Sequence, residues 1–257
     1  MKYAICAGAV LALCVSAGTS YAASSSKVSA QIQAAVDDSG RPEVDRARDV
    51  NRKPAQVMAF AGIKSGQKII ELIPGSGYFT RMFCKIVGDS GHVYTVNIKP
   101  TMAMPMRPGA GPRQAPPPPA PIACDNVTAS AMTAAELSLP TDVDVVWTSE
   151  NYHDLHNAMF GKPDMKALDT AVFNALKPGG EFIIEDHVAE AGSGARDTNA
   201  LHRIDPELVK KEVTSAGFVF AGESHVLHNP NDPHTAKVFT MVDKTDRFLF
   251  KFRKPRA

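Results

Sequence analysis

Short apolar runs bounded by turn residues recur along this chain, with helix-length segments between them. Lys68 to Ile73 is one such run, and Pro74-Gly75-Ser76-Gly77 closes it. Continuous apolar runs of this length read as strands buried on both faces. Further strands are expected at His92–Val96, Asn126–Ala129, Val143–Trp147, Glu181–Glu185, Val219–Val226 and Arg247–Arg253, the last with Phe248, Phe250 and Phe252 alternating with Leu249 and Lys251. Helices are expected from Pro54 to a stop at Gly62, from Tyr78 to Val87, from Asp164 to Leu176 and from Asp205 to Ser215. Gly62 suits a helix end because glycine enters the left-handed cap geometry at little cost. Strands separated by helices specify an α/β fold with a mostly parallel sheet and helices on both faces. In such sheets ligands bind at the carboxyl ends of the strands, where the strand order reverses.

Two stretches depart from this alternation. Lys2 precedes the apolar run Tyr3 to Ala17, and Ser20-Tyr21-Ala22 offers small residues at a cleavage point, so residues 1–22 read as a secretory signal peptide and the protein as exported. No stable membrane anchor is expected after cleavage. Residues 23–50 form a polar lead-in, with Ser24 to Ser26 as a tether and the Asp45-Arg46-Ala47-Arg48-Asp49 stretch as a solvated charged segment. Arg46, Arg48 and Arg52 are forked donors for a carboxylate on the alternative reading. The main domain then spans 51–257, with an insertion at 100–121 that holds nine of the 19 prolines and cannot be helical. Loops of this length are lids or disordered insertions.

Composition narrows the field. At 44% hydrophobic and 21% charged the chain is globular, and Lys+Arg 28 against Asp+Glu 27 lacks the cationic excess that nucleic-acid binding needs. Cys6 and Cys14 leave with the signal. Cys84 and Cys124 remain, read as two free, buried thiols, with a single bridge in an oxidising compartment as the alternative.

The central chemical signal is Glu71-Leu72-Ile73-Pro74-Gly75-Ser76-Gly77, where a buried strand turns into a helix. Glycines there let a ligand touch backbone, and the helix that follows offers free N–H groups. A nicotinamide-binding turn would want a small residue where Thr80 stands. Taken with the strand ending Val145-Val146-Trp147, the Leu176-Lys177-Pro178-Gly179-Gly180 stop, Ala216-Gly217-Phe218 and the terminal aromatic strand, the set resembles the class I S-adenosylmethionine-dependent methyltransferases. Its Pro-Gly-x-Gly-Tyr turn resembles an exported, periplasmic bacterial subgroup of predicted methyltransferases.

The resemblance implies a Rossmann-like, seven-stranded sheet with an antiparallel C-terminal strand, and S-adenosylmethionine as cofactor. It implies that Glu71, Pro74, Gly75, Gly77 and Tyr78 border the methionine part and that Asn97 meets the ribose. Three departures stand out. Ile73 occupies a position where a glycine is common, Asn97 replaces an acid, and Ser130, Ala131 and Met132 offer no acid on the adenine side.

The tails Glu150 to His156 and Glu185-Asp186-His187 should open on the same crevice. Methyl transfer is an in-line displacement in which the protein supplies alignment, and a base when the nucleophile carries a proton. His153 is the first candidate for that base, His187 the second, with Glu150 beside them. No metal is expected: His153 with His156, or His225, His228, Asp232 and His234, match no familiar ligand spacing. The reading is methyl transfer to an unidentified small molecule. The alternative is an exported, non-catalytic small-ligand-binding protein on the same fold, which Asn97 and the missing adenine-side acid favour.

Overall fold

Neighbouring residues on each central strand are buried on opposite sides, which is what a sheet covered by helices on both faces requires. The computed structural model describes residues 27–102 and 120–256. The expected signal at 1–22 and residues 103–119 of the proline-rich insertion lie outside them. Seven strands form one sheet: β1 Lys68–Leu72, β2 His92–Ile98, β3 Val127–Met132, β4 Val143–Ser149, β5 Leu176–His187, β6 Val219–Ser224 and β7 Arg247–Arg253. Their order is β3-β2-β1-β4-β5-β7-β6, parallel except that β7 runs antiparallel to both β5 and β6. The helices are α1 Ala30–Val36, α2 Glu43–Arg46, α3 Asp49–Arg52, α4 Pro54–Ala61, α5 Tyr78–Val87, α6 Met165–Ala175 and α7 Pro206–Ser215.

Two cores flank the sheet. Ile70, Leu72, Val146, Phe182, Ile184, Phe250 and Phe252 face α6 and α7, packing with Leu168, Val172, Val209 and Val213. Ile69, Val93, Val145, Trp147, Ile183 and Leu249 face α1, α4 and α5. Phe79 and Phe83 of α5 set their rings 4.8 and 5.2 Å from Trp147. The α/β, seven-stranded reading and its antiparallel β7 hold. β5 starts earlier than expected, because Leu176 already pairs with Val143 before a register shift brings Glu181 opposite Val145.

The expected tether at Ser24 to Ser26 lies outside the described residues, and from residue 30 onward the polar lead-in packs onto the domain. Ile32 and Ala35 of α1 are buried against the α4–α5 side, and Arg81 on α5 pairs with Asp45 at 2.9 Å. Among the described residues no helix is long and apolar enough to cross a membrane.

The cysteines correct the sequence reading. Cys84 on α5 and Cys124 are bonded, with Cα atoms 6.3 Å apart. The bridge closes a loop with a sequence separation of 40 that contains β2 and the proline-rich insertion. Loop-closure entropy for such a length is about 4 kcal/mol. Replacing both cysteines by serine should therefore lower unfolding stability by ~2–4 kcal/mol, read as a drop in the urea midpoint with a steeper slope, because the unlinked chain unfolds to a more expanded state.

Candidate active site

The strand order reverses between β1 and β4, and their carboxyl ends part there around a cavity of about 180 Å³. Glu71, Ile73, Pro74, Gly75 and Tyr78 line it from the β1 turn, Ser149, Glu150 and Asn151 from the β4 end, and Arg48 and Arg52 from the lead-in. Three of these residues hold left-handed backbone: Ile73 at φ 51°, Gly75 at φ 58° and Glu150 at φ 59°. For Gly75 this costs little, and no atom lies within 4 Å of where a Cβ would stand. For β-branched Ile73 it is a strained conformation of the kind that collects at functional sites. Ile73 is held in it because its N–H donates to Val96 O at 2.8 Å and its carbonyl accepts from Asn151 Nδ2 at 3.1 Å. Ile73 thus takes up here the left-handed backbone that glycine adopts most readily.

Gly77 plays a different part from the expected one. It is the N-cap of α5, and a Cβ there would lie 3.0 Å from Ile122 Cδ1, so it packs against protein and does not line the cavity. No side chain caps α5, whose first residues Tyr78 and Phe79 face the cavity. The unpaired amides of a helix start favour an anionic group. Tyr78 donates its hydroxyl to Asp49 Oδ1 at 2.5 Å, and its ring carries the Arg52 guanidinium at 4.5 Å. Asn97 is exposed on β2 and does not line the cavity, so the ribose contact implied by the resemblance is not formed by this pocket.

Glu71 is buried and accepts a hydrogen bond from Thr80 Oγ1 at 2.5 Å. Burial pushes its carboxyl up to about 8, against the opposing pull of Thr80, Arg52 and Arg81.

Glu150 was expected near the chemistry as a carboxylate, and the structure clamps it. Arg247 Nη1 lies 2.7 Å from Glu150 Oε1 and 2.9 Å from Glu185 Oε1, while Arg52 and Arg48 approach Glu150 Oε2 at 3.5 and 3.9 Å. Burial alone would raise its pKa, but the arginines outweigh it and hold Glu150 down at about 2. It is therefore a fixed anion and a poor general base. Arg52 also donates to Ser149 Oγ at 2.8 Å, and that hydroxyl donates to Glu185 Oε2 at 2.8 Å. Part of the segment read as solvated is thus a wall of the pocket, through Arg48 and the buried Arg52, while Arg46 is exposed.

The histidines are also reassigned. His153 Nδ1 lies 2.7 Å from Asp186 Oδ1, and its backbone N–H donates to Asp186 Oδ2 at 2.8 Å. Burial opposes protonation, yet Asp186 and Asp154 pull the ring up to about 10, so without another cation at Nε2 it holds its proton at neutral pH. His153 does not line the cavity and is not a ready base. Burial pushes His187 down to about 4, and its Nδ1 lies 2.8 Å from Thr245 Oγ1, also away from the cavity wall. His228 and His234 both reach Asp246, at 3.0 and 2.9 Å, while Asp232 is held by Arg203 at 2.8 and 3.0 Å, so the group at 225–234 does not converge.

Sequence reasoning missed Arg247 and Asn151, and it gave Arg48 and Arg52 as donors only on its alternative reading. It also missed His202, whose Nδ1 stands 3.3 Å from Asp154 Oδ1. Only the charged segment carried a readable signal, in its arginines.

No family model matches the chain. Among curated proteins it is similar to the ubiquinone/menaquinone biosynthesis C-methyltransferase UbiE of Yersinia enterocolitica, 26% identical over 189 residues, which is 70% of this chain and 67% of that protein. The match to UbiE of Pseudomonas paraeruginosa is 23% identical over 128 residues, 49% of this chain and less than half, 43%, of the relative. Among solved structures, an S-adenosylmethionine-dependent methyltransferase from Aquifex aeolicus superposes with a TM-score of 0.54 at 15% identity, covering 82% of this chain and 95% of the other. One from Mesorhizobium loti gives 0.50 at 18% identity, covering 82% and 99%. The fold is that of the class I methyltransferases. On that fold the cavity sits at the glycine turn after the first strand.

The raised pKa of Glu71 fixes the sign of a pH effect. Unfolded, a glutamate loses its proton near ~4.3, whereas folded Glu71 keeps it to about 8, so the native state binds the extra proton and loses stability as pH rises between these values. Glu71→Gln removes that loss. The variant should match wild type near pH 4 and gain on the order of a few kcal/mol over it by pH 8 in urea unfolding. A difference that does not change with pH would mean that Glu71 is ionised in the fold.

Proposed function

We propose that the protein transfers a methyl group from S-adenosylmethionine to a small-molecule acceptor, outside the cytoplasm. The observation that carries this reading is the open turn at Gly75, set at the switch point of a methyltransferase-ordered sheet beside a buried acid and an uncapped helix start. The similar proteins supply the activity by analogy, and the Cys84–Cys124 bridge supports an oxidising location.

The residues present fit the amino-acid end of the cofactor. The amides of α5 and the guanidinium groups of Arg48 and Arg52 would hold its carboxylate, and Glu71 would accept from its cationic part, giving up its own proton as that charge arrives. When bound, the cofactor supplies an electrophilic methyl group on a sulfonium centre. What the chain then contributes is alignment along the cavity from Gly75 toward Asn151, with Tyr78 and Phe79 as aromatic lining and Arg48 and Arg52 as charged lining. Among the described residues no imidazole lines the cavity, Glu150 is clamped by arginines, and Glu71 is the one lining carboxyl whose pKa, about 8, lies near working pH, so the arrangement suits an acceptor that arrives as its own nucleophile or yields its proton to Glu71. The non-catalytic alternative rested on Asn97 and the absent adenine-side acid; the open glycine turn suits either reading, and the similarity to methyltransferases in sequence and fold weighs against the alternative.

Thermal stabilisation tests the cofactor. At 100 times its dissociation constant, S-adenosylmethionine or its demethylated product should stabilise the protein by ~2.7 kcal/mol. Gly75→Val, which fills the open space above the turn, should abolish the shift. No shift of the wild type at millimolar ligand overturns the assignment.

A further inference from the structure

Beyond β4 the chain turns through a short 3₁₀ helix, His153–His156, that sets His153 and Asp154 side by side. His202 reaches the same point from the segment between β5 and α7. His153 Nε2 is 3.2 Å from His202 Nδ1 and 3.3 Å from Asp154 Oδ1, and His202 Nδ1 is 3.3 Å from Asp154 Oδ1. These three donor atoms form a nearly equilateral triangle. Donors ~2.0–2.1 Å from a tetrahedral zinc ion stand ~3.3–3.4 Å apart, the spacing seen. Cis donors of an octahedral ion at ~2.1 Å would close to ~3.0 Å.

We propose that His153, Asp154 and His202 bind a zinc ion tetrahedrally, leaving the fourth position open. Two further observations support the site independently of the triangle. The first lies behind it. Asp186, fully buried, holds Nδ1 of His153 at 2.7 Å, and this carboxylate–imidazole pairing aims Nε2 at the metal position and fixes its tautomer. The second is exposure. His153 is buried, but the side chains of Asp154 and His202 keep 20% and 26% of their surface accessible, which gives an ion an entry path and leaves room for a solvent ligand. The charge also closes: two carboxylates, Asp154 and Asp186, around two neutral imidazoles are balanced by one divalent cation. Among the described residues no other set of three histidine, cysteine or acidic donors converges in this way.

Three protein ligands with an open fourth position are the arrangement in which zinc binds water or a substrate oxygen, nitrogen or sulfur atom. In the chain the ligand pair follows the β4 tail, Ser149 to Asn151, that lines the cavity. The inference does not depend on methyl transfer.

Chelator-stripped protein, titrated with Zn²⁺ in a calorimeter and analysed for metal by mass spectrometry, tests it. One zinc per chain is expected, and Co²⁺ in its place should give the intense visible bands of tetrahedral coordination. His202→Gly, which accepts the φ of 57° at that position without strain, and Asp154→Asn should each weaken zinc by ~10-fold or more while circular dichroism of the metal-free chain is kept. Asp186→Asn, acting through His153, should weaken it by ~10–100-fold. Absence of stoichiometric uptake by the folded wild type, undiminished affinity in His202→Gly with Asp154→Asn, or the weak spectrum of octahedral cobalt would each overturn the site. Because the readout is metal binding, a negative result leaves the thermal-shift test of S-adenosylmethionine untouched, and the reverse holds too.

Discussion

Glu185 has no solvent access at the end of β5, and Glu150 lies beside it at the end of β4, so the carboxyl edge of the sheet must supply positive charge from elsewhere in the chain. A buried carboxylate without a partner is costly enough that the fold arranges itself around the requirement. Arg247, at the start of β7, bridges the two acids. Its second amino group donates to Asn51 O at 2.7 Å, which draws the lead-in onto the sheet edge, and Arg52 follows to Ser149. One wall of the cavity therefore exists because two acids needed neutralising. Such a network adds little net stability over an apolar core, but it fixes position, since moving any member strands a charge.

How much of this was legible follows from the range of the interactions. The strands could be read because burial on both faces writes itself as local apolar runs, and the turn at Gly75 because glycine at a strand end is a local signal. The charged lead-in could be read only two ways, as a solvated segment or as a set of carboxylate donors. Its arginines look solvated until their partners are known, and those partners lie far away in sequence: Arg48 meets Asp243 at a separation of 195 residues, and Arg52 meets Ser149 at 97. The histidines failed for the same reason. Whether His153 is a base, an imidazolium or a ligand is decided by Asp186, on a neighbouring strand end, and by His202 on a later loop. No spacing along the chain between Asp154 and His202 announces their meeting.

The turn itself carries a lesson about departures from a pattern. Ile73 reads as the loss of a glycine, and it nonetheless keeps left-handed backbone at φ 51°. A residue held in a sparsely populated region costs ~1–3 kcal/mol and persists only where its surroundings over-determine it. Here the surroundings are visible: a ladder bond to Val96, the amide of Asn151 and apolar packing on the α6–α7 side of the sheet. The conformation is thus set by the surroundings of the site, and a β-branched residue is held in it.

Gly77, Arg81 and the disulfide then join into one device. Arg81 donates to Asp45 Oδ2 and to Ala120 O at 2.6 Å, so one side chain ties the lead-in and the chain leaving the proline-rich insertion to α5. Two residues on, Ile122 fills the space over Gly77, and Cys124 is bonded to Cys84 on the same helix. A side chain at position 77 would push this strap off the helix start, whereas at position 75 it would enter the cavity. The two glycines of the turn thus serve opposite ends, one giving room to a ligand and the other to the chain itself. That division explains why a single glycine turn can both open a pocket and anchor the segment that follows a long insertion.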